Sequence, residues 1–122
     1  MITKPKILVI EDNLINVKVI VALLQDLGYE NLTIATCGQA GLAQFDHTVA
    51  LVILDIGLPD INGIEVAKQL RQQSKIPIIA YTAFNAPKDQ SWQINGITDY
   101  LIKPVTWEKL NQLIQQHLPL AK

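Results

Sequence analysis

Short apolar runs rich in β-branched residues alternate with longer helical patterns along the whole chain. Five runs are candidate strands, at residues 7–10, 32–35, 51–54, 78–81 and 100–102. Each is followed by a candidate helix, near residues 13–27, 39–45, 63–73, 87–94 and 106–117. A βα unit repeated in this way predicts an α/β domain with a parallel sheet. Because the runs ILVI and LVIL show little alternation, we expect helices to cover both faces of that sheet.

The size and charge of the chain narrow the possible classes of protein. Its 122 residues have the length of one compact domain, so we predict a single domain over residues 1–122. Apolar residues make up 49% of the chain, charged residues make up 17%, and the formal net charge is −1. This composition argues against disorder and against direct binding of nucleic acid through bulk charge.

Cys37 is the only cysteine in the sequence. An internal disulfide and a cysteine-rich metal site are therefore excluded. The polar segment MITKPK lacks the apolar stretch of a signal peptide, and no apolar run approaches the roughly 18 residues of a membrane span. From these features we expect a soluble chain in the cytoplasm, without membrane contact.

Several residues indicate where helices begin and end. Gly28 and Gly96 are predicted to end helices in left-handed geometry, and Asn62 with Glu65 forms a candidate capping box. Trp92 and Trp107 fall on the fourth and fifth predicted helices, where they mark either an interaction surface or core packing.

Polar residues stand at the ends of four of the predicted strands. Glu11 and Asp12 follow the first strand, Asp55 the third, Thr82 the fourth and Lys103 the fifth. In an open α/β sheet the carboxyl ends of parallel strands lie along one edge, where ligands bind. These side chains are therefore predicted to converge on one site.

Three carboxylates and one ammonium group would leave this site with excess negative charge. Carboxylate oxygens without histidine or cysteine beside them suit Mg²⁺, so we predict a magnesium site. With the cation bound, the site could admit a phosphoryl group, stabilised by Lys103 and the Thr82 hydroxyl. Asp55 is the predicted nucleophile, because an aspartate can form an acyl phosphate and because its strand is central if the strand order is 2-1-3-4-5.

Four segments resemble the motifs of CheY-like receiver domains of response regulators: EDN at 11–13, LDIGLPDINGIE at 54–65, YTA at 81–83 and DYLIKP at 99–104. The resemblance covers essentially the whole chain. It implies a three-layer, flavodoxin-like (βα)5 doubly wound sandwich with a five-stranded parallel sheet in the order 2-1-3-4-5. The segment EDNLIN is especially similar to receivers fused to hybrid sensor histidine kinases, so the chain is either a segment of such a kinase or a stand-alone regulator.

The resemblance also implies a role for each matching residue. Asp55 would accept phosphate from a phosphohistidine, and Mg²⁺ would be held by Glu11, Asp12, Asp55 and the backbone carbonyl of Gly57. Thr82 and Lys103 would contact the phosphate. In this family the threonine and an aromatic residue, matched here by Thr82 and Tyr100, move together and remodel the surface formed by the fourth helix, fifth strand and fifth helix. The Lys103–Pro104 peptide bond is expected to be cis.

The partners implied are a histidine kinase or a histidine phosphotransfer domain, and a downstream protein target or a fused kinase. A phosphorylation-dependent dimer is left open. Such a domain is a phosphorylation switch rather than a turnover enzyme, because it catalyses only its own phosphotransfer and dephosphorylation.

Leu14 and Ile15 lie off the main apolar face of the first predicted helix, next to the acidic pair. One interpretation is that they help to dock a histidine-bearing helical partner, as the corresponding surface does in receiver domains. The other is that the helix is buried more widely than one face.

Departures from the family pattern and other classes of protein also bear on the prediction. Asn62 replaces a frequent aspartate and Leu58 a common methionine, while Gly57 and Phe84 occupy positions that modulate phosphoryl lifetime in this family. A receiver-like interaction module that is never phosphorylated remains an alternative. A flavin-binding module is disfavoured because two carboxylates would face the flavin phosphate, and an aspartyl phosphatase because DIGLPD lacks a DxDx pattern.

Overall fold

The computed structural model describes residues 5–83 and 87–118. Its sheet contains five parallel strands in the order β2-β1-β3-β4-β5, as predicted. The strands are β1 (Lys6–Ile10), β2 (Leu32–Ala35), β3 (Val49–Asp55), β4 (Ile78–Thr82) and β5 (Asp99–Ile102). Each strand overlaps its predicted range, because an unbroken run of β-branched and other apolar residues is a strong local signal.

The helices between the strands are α1 (Leu14–Asp26), α2 (Gly38–Gln44), α3 (Gly63–Gln73), α4 (Ser91–Ile94) and α5 (Trp107–His117). Four of them agree with the predicted ranges within one residue at each end. The range predicted for the fourth helix was too long, since α4 begins at Ser91 and has only four residues. Before it, the Asp89 carboxylate accepts a hydrogen bond from Ser91 N at 3.0 Å, a local turn that competes with helix.

Apolar side chains fill both faces of the sheet. On one face, Leu8, Ile10, Val52 and Leu54 pack with residues of α2 and α3, and Trp92 of α4 packs partly buried against this cluster. On the other face lie buried residues of the sheet and of α1 and α5, among them Ile7, Val9, Ile53, Ile20, Leu24, Leu110 and Ile114. The predicted three-layer sandwich is therefore confirmed.

Local geometry agrees with most of the predicted helix ends. Gly28 and Gly96 have φ values of 97° and 98°, the left-handed region in which glycine has no steric penalty. Asn62 caps α3, because its side chain accepts a hydrogen bond from Ile64 N at 2.8 Å. The other half of the predicted capping box is wrong, since the Glu65 carboxylate accepts instead from Gln69 Nε2 at 3.2 Å. The Lys103–Pro104 peptide bond is cis, as expected.

The described helices are also short. In residues 5–83 and 87–118, no helix combines the length and the apolar character that crossing a bilayer requires.

Candidate functional site

The strand order places the predicted site residues along one edge of the sheet. Ile10 of β1 is level with Leu54 of β3, so Glu11 and Asp55 end neighbouring strands at the same height. Asp55 is in turn level with Tyr81 of β4. Lys103 directly follows β5, and its backbone N–H donates to the Thr82 carbonyl at 2.7 Å. The predicted convergence of these strand ends is therefore correct.

The three carboxylates form one cluster. Glu11, Asp12 and Asp55 each offer an oxygen, and these oxygens all lie within 4.8 Å of one another. Glu11 and Asp55 are buried, with residue exposures of 1% and 6%, whereas Asp12 is exposed. Backbone amides orient the buried pair: Asn13 N donates to Glu11 Oε2 and Gly57 N to Asp55 Oδ1, both at 3.1 Å.

Lys103 brings the counter-charge to this cluster. Its Nζ lies 2.9 Å from Glu11 Oε1, 3.3 Å from Asp55 Oδ1 and 4.7 Å from the centroid of the Tyr81 ring. Burial lowers the pKa of Lys103, but contact with Glu11 and the charge of Asp55 outweigh that effect, so its pKa is raised overall. The side chain is therefore a cation throughout the physiological pH range.

One ammonium group cannot neutralise three clustered carboxylates, and this imbalance fits a divalent cation. Glu11 Oε1 is fully buried and lies 2.9 Å from the Lys103 ammonium. Because Asp55 shares that ammonium, the buried negative charge is only partly offset, and a second positive group would lower its cost. The all-oxygen ligand set suits Mg²⁺, which binds few protein carboxylates and keeps several waters. Glu11, Asp12 and Asp55 are therefore the residues that would hold the ion.

The loop after β3 holds Asp55 in place and carries Gly57, whose carbonyl is the remaining predicted ligand. Leu58 is buried against the core, and Gly63 N donates to the Ile56 carbonyl at 2.9 Å. Gly63 has no room for a side chain, because a Cβ there would lie 2.6 Å from the Asp55 carbonyl oxygen. The backbone at Asp55 and Ile56 is thus closely packed.

The predicted switch residues lie apart from each other. Thr82 is buried at the edge of the sheet that carries the carboxylates, whereas Tyr100 is partly exposed on β5. The Tyr100 ring meets Trp92 of α4 edge-on, with 6.2 Å between ring centroids and an angle of 76° between ring planes. Trp107 is exposed on α5, so the two tryptophans differ: Trp92 packs against the core and Trp107 faces solvent.

The β5–α5 side of the molecule is open and partly apolar. A groove of about 590 Å³ runs between β5 and α5 and is lined by residues of both elements, including Tyr100, Ile102 and Leu113. Ile102, which lines the groove, is exposed, and Ile94 of α4 and Trp107 of α5 are also more accessible than is usual for large hydrophobic residues. This face has the character of a contact surface.

Leu14 and Ile15 are exposed beside the carboxylate cluster. Their exposures of 65% and 72% show that wider burial of the helix, the alternative interpretation of the sequence, is wrong for both residues. The Asn13 side chain caps α1 by accepting from Ile15 N at 2.9 Å and from Asn16 N at 3.1 Å. The N-cap of the helix is thereby fixed two residues beyond Glu11.

Sequence analysis missed two residues of this region. Tyr81 places its ring beside the Lys103 ammonium. Its place at the end of the fourth predicted strand, the neighbour of the strand that ends in Asp55, could have indicated this contact. Asp60 connects the loop after β3 to the start of α2 through two backbone amides. An exposed loop aspartate carries no sequence signal for such a contact. His117 pairs with Asp99 at 3.0 Å, apart from the cluster formed by Glu11, Asp12 and Asp55.

Comparison with known proteins agrees with this geometry. The family model described as response regulator receiver domain matches residues 7–115. The hybrid signal transduction protein dokA of Dictyostelium discoideum is 39% identical over 119 residues, which is 91% of this chain but 7% of dokA. The chain also spans about half the length of other curated relatives that it matches, at 46% and 49%.

Solved structures agree as well. The receiver domain of the sensor histidine kinase PA1611 from Pseudomonas aeruginosa, with magnesium in its active-site cleft, is 31% identical with a TM-score of 0.81, covering 94% of this chain and 98% of that one. The Ssk1 receiver domain of Saccharomyces cerevisiae, crystallised with the phosphotransfer protein Ypd1, is 29% identical with a TM-score of 0.83, covering 96% and 90%. Together with the carboxylate cluster and the strand order, these matches show that the chain belongs to the response regulator receiver domain family.

Proposed function

We propose that this chain is the phosphoacceptor of a two-component phosphorelay, in which Asp55 takes a phosphoryl group from a phosphohistidine. The observation that carries the proposal is the buried Asp55 carboxylate, which lies beside two further carboxylates and 3.3 Å from the Lys103 ammonium. The chain is a switch rather than a turnover enzyme, because the group it transfers ends on its own side chain.

The chemistry assigned to the residues follows from their positions. A carboxylate oxygen of Asp55 attacks phosphorus, the P–O bond forms as the P–N bond to the donor imidazole breaks, and the imidazole leaves. Glu11, Asp12 and Asp55 would hold Mg²⁺, which would supply positive charge that offsets the carboxylates and polarises the phosphoryl group. Lys103 is already held at Asp55 and stabilises negative charge on the phosphoryl oxygens. We assign the Thr82 hydroxyl to the same group.

Incubation with a small acyl-phosphate donor tests the proposal without any partner protein. We expect intact mass spectrometry to show one added phosphoryl group when Mg²⁺ is present and none when it is removed with a chelator. A short-lived adduct is checked with a stable phosphate mimic that does not hydrolyse. Failure of both the donor and the mimic to modify or bind the chain would favour the alternative, a receiver-shaped interaction module that is never phosphorylated.

The output of the switch is assigned to the surface formed by α4, β5 and α5. Thr82 ends β4 level with Ile102 of β5, and Tyr100 lies two residues earlier on that strand. Movement of Thr82 toward a phosphoryl group would therefore displace β5, where Tyr100 contacts Trp92 of α4. The population of two conformations of this surface would shift, and a downstream protein, a fused kinase or a second copy would respond.

We assign binding of the phosphoryl donor protein to the surface beside Asp55 that includes Leu14 and Ile15. In the complex of Ypd1 with the Ssk1 receiver, a histidine phosphotransfer protein is bound to a domain similar to this one. We expect Ile15→Lys to slow phosphotransfer from a phosphotransfer domain by about 30-fold, because burying an unpaired charge in place of an apolar contact costs about 2 kcal/mol. Phosphorylation by the small acyl-phosphate donor is expected to be unchanged.

A matched variant separates docking from a general effect of charge. Val19→Lys adds the same charge one helical turn further from the cluster, at a side chain that is 40% exposed. It is expected to change transfer less than threefold, since contacts outside the centre of an interface contribute little. Equal slowing by both substitutions, or slowing of the small-donor reaction by Ile15→Lys, would contradict a docking role for Ile15.

A further inference from the structure

Two hydrogen bonds tie the loop after the phosphoacceptor to the beginning of a different helix. Asp60 Oδ1 accepts from Gly38 N and Asp60 Oδ2 accepts from Gln39 N, both at 2.8 Å. Because both carboxylate oxygens are used, the side chain is fixed in position and in orientation. The amides at a helix start have no partner within the helix, so a carboxylate brought from elsewhere satisfies them.

The contact is so close that a side chain at position 38 would press on its neighbours. A Cβ on Gly38 would lie 3.0 Å from Val66 Cγ2, 3.2 Å from Ile61 Cβ and 3.3 Å from Asp60 Oδ1. The backbone of α2 therefore packs directly on the loop that carries Asp60. The hydrogen bonds from Gln39 and Gly38 also hold the pKa of the Asp60 carboxyl below its usual value, which keeps it ionised.

This contact connects the two segments that carry the carboxylate cluster, which are the end of β1 and the end of β3 with the loop after it. Asp60 belongs to the same loop as Gly57, five residues beyond Asp55. The helix that it contacts follows β2, and the last residue of β2, Ala35, accepts a hydrogen bond from Glu11 N at 3.0 Å. A short path through Ala35, the start of α2 and Asp60 thus connects the end of β1 with the loop after β3.

We infer that Asp60 is a positioning residue for the divalent-cation site, which holds the loop bearing Asp55 and Gly57 in register with the strand end bearing Glu11 and Asp12. This inference rests on the proposed function, since it concerns the same ion. Without the contact, the exposed part of the loop occupies more conformations and the binding-competent one is less populated. The apparent Kd for the ion rises by the inverse of that population.

Two substitutions break the contact in different ways. Asp60→Asn replaces one of the two accepting oxygens with an NH2 group that cannot accept, so the contact in which each oxygen holds one amide is lost. Gly38→Ala retains every charge in the molecule and introduces a Cβ against Asp60, Ile61 and Val66. A matched control is Asp46→Asn, which removes the same charge from an exposed aspartate that accepts from Thr48 N at 2.8 Å, before β3 and at the opposite edge of the sheet.

Titration of the unphosphorylated protein with Mg²⁺ by calorimetry is the test. We expect the Kd to rise about fivefold in Asp60→Asn and Gly38→Ala, less than the roughly 10- to 100-fold typical for residues that touch a metal ligand. Asp46→Asn should bind as the wild type does. The Asp60→Asn effect should persist at 1 M salt, where the Debye length is about 3 Å and the lost charge alone would be screened.

Amide NMR tests the contact separately from ion binding. The Gly38 and Gln39 amide resonances of the wild type are expected to shift in acid as Asp60 is protonated, at a pH below the usual range because its pKa is lowered by those two amides, and not to shift in Asp60→Asn. If the wild type binds Mg²⁺ and both variants bind it with the same Kd, the inference about Asp60 is overturned and the proposed function is not. Absence of Mg²⁺ binding by a wild type whose amides do titrate would overturn the proposed function and the inference together.

Discussion

Replacing Asp55 with asparagine is expected to abolish the phosphoryl adduct entirely. The asparagine amide has the shape of the carboxylate and can still accept the hydrogen bond from Gly57 N, so the loop should keep its conformation. It lacks the anionic oxygen that attacks phosphorus. Intact mass after treatment with a small acyl-phosphate donor and Mg²⁺ is the measurement, and the wild type under the same conditions is the reference.

The same substitution is not expected to destabilise the fold. In the absence of Mg²⁺, Asp55 adds to the repulsion within a cluster of three carboxylates and one ammonium. Removing its charge should therefore leave the urea midpoint unchanged or higher, which excludes unfolding as the reason for a lost adduct. A persistent adduct in Asp55→Asn would place the phosphoryl group on another residue, and peptide mapping would identify it.

Gly63→Ala is expected to destabilise the fold by about 2 to 3 kcal/mol, as overpacking of a closely packed backbone does. The added Cβ would lie 2.6 Å from both the Asp55 carbonyl oxygen and the Ile56 Cα. Both are backbone atoms, so no side-chain rotation relieves the clash. Alanine is favoured over glycine within a helix by up to about 1 kcal/mol, which the steric cost exceeds. Urea unfolding measures the difference.

Gly57→Ala provides the control for this stability measurement. A Cβ at Gly57 would meet nothing within 4 Å, and the residue is in the loop that leads from β3 to Gly63 at the start of α3. Its urea midpoint is expected to match that of the wild type. Equal stability of Gly63→Ala and Gly57→Ala would show that the backbone near Asp55 shifts easily, and would contradict the close packing described for this loop.

The sequence predicts the fold well because its signals are local and repeated. Unbroken apolar runs identify strands covered on both faces, and the side chains just after them must share one sheet edge. This argument placed Glu11, Asp55 and Lys103 together without any knowledge of the loops. It failed at the fourth helix, where the Asp89 turn delays the start to Ser91.

The contacts that set the exact geometry of the site were beyond such reasoning. Asp60 accepts from an amide 22 residues away in sequence, and nothing in its neighbours distinguishes it from a solvated loop residue. The half-formed capping box at Asn62 has a similar origin, because Glu65 has two acceptable partners and packing decides between them. Such choices depend on three-dimensional neighbours rather than on periodicity.

The order of the strands also bears on how copies of this chain can associate. The two edge strands, β2 and β5, have only four residues each, whereas the central β3 has seven. A short edge presents few unpaired backbone groups, so adding a strand from another molecule gains little, and edge-to-edge aggregation is discouraged. Self-association is therefore expected to proceed through side chains such as Ile102 and Trp107, and to leave the sheet at five strands.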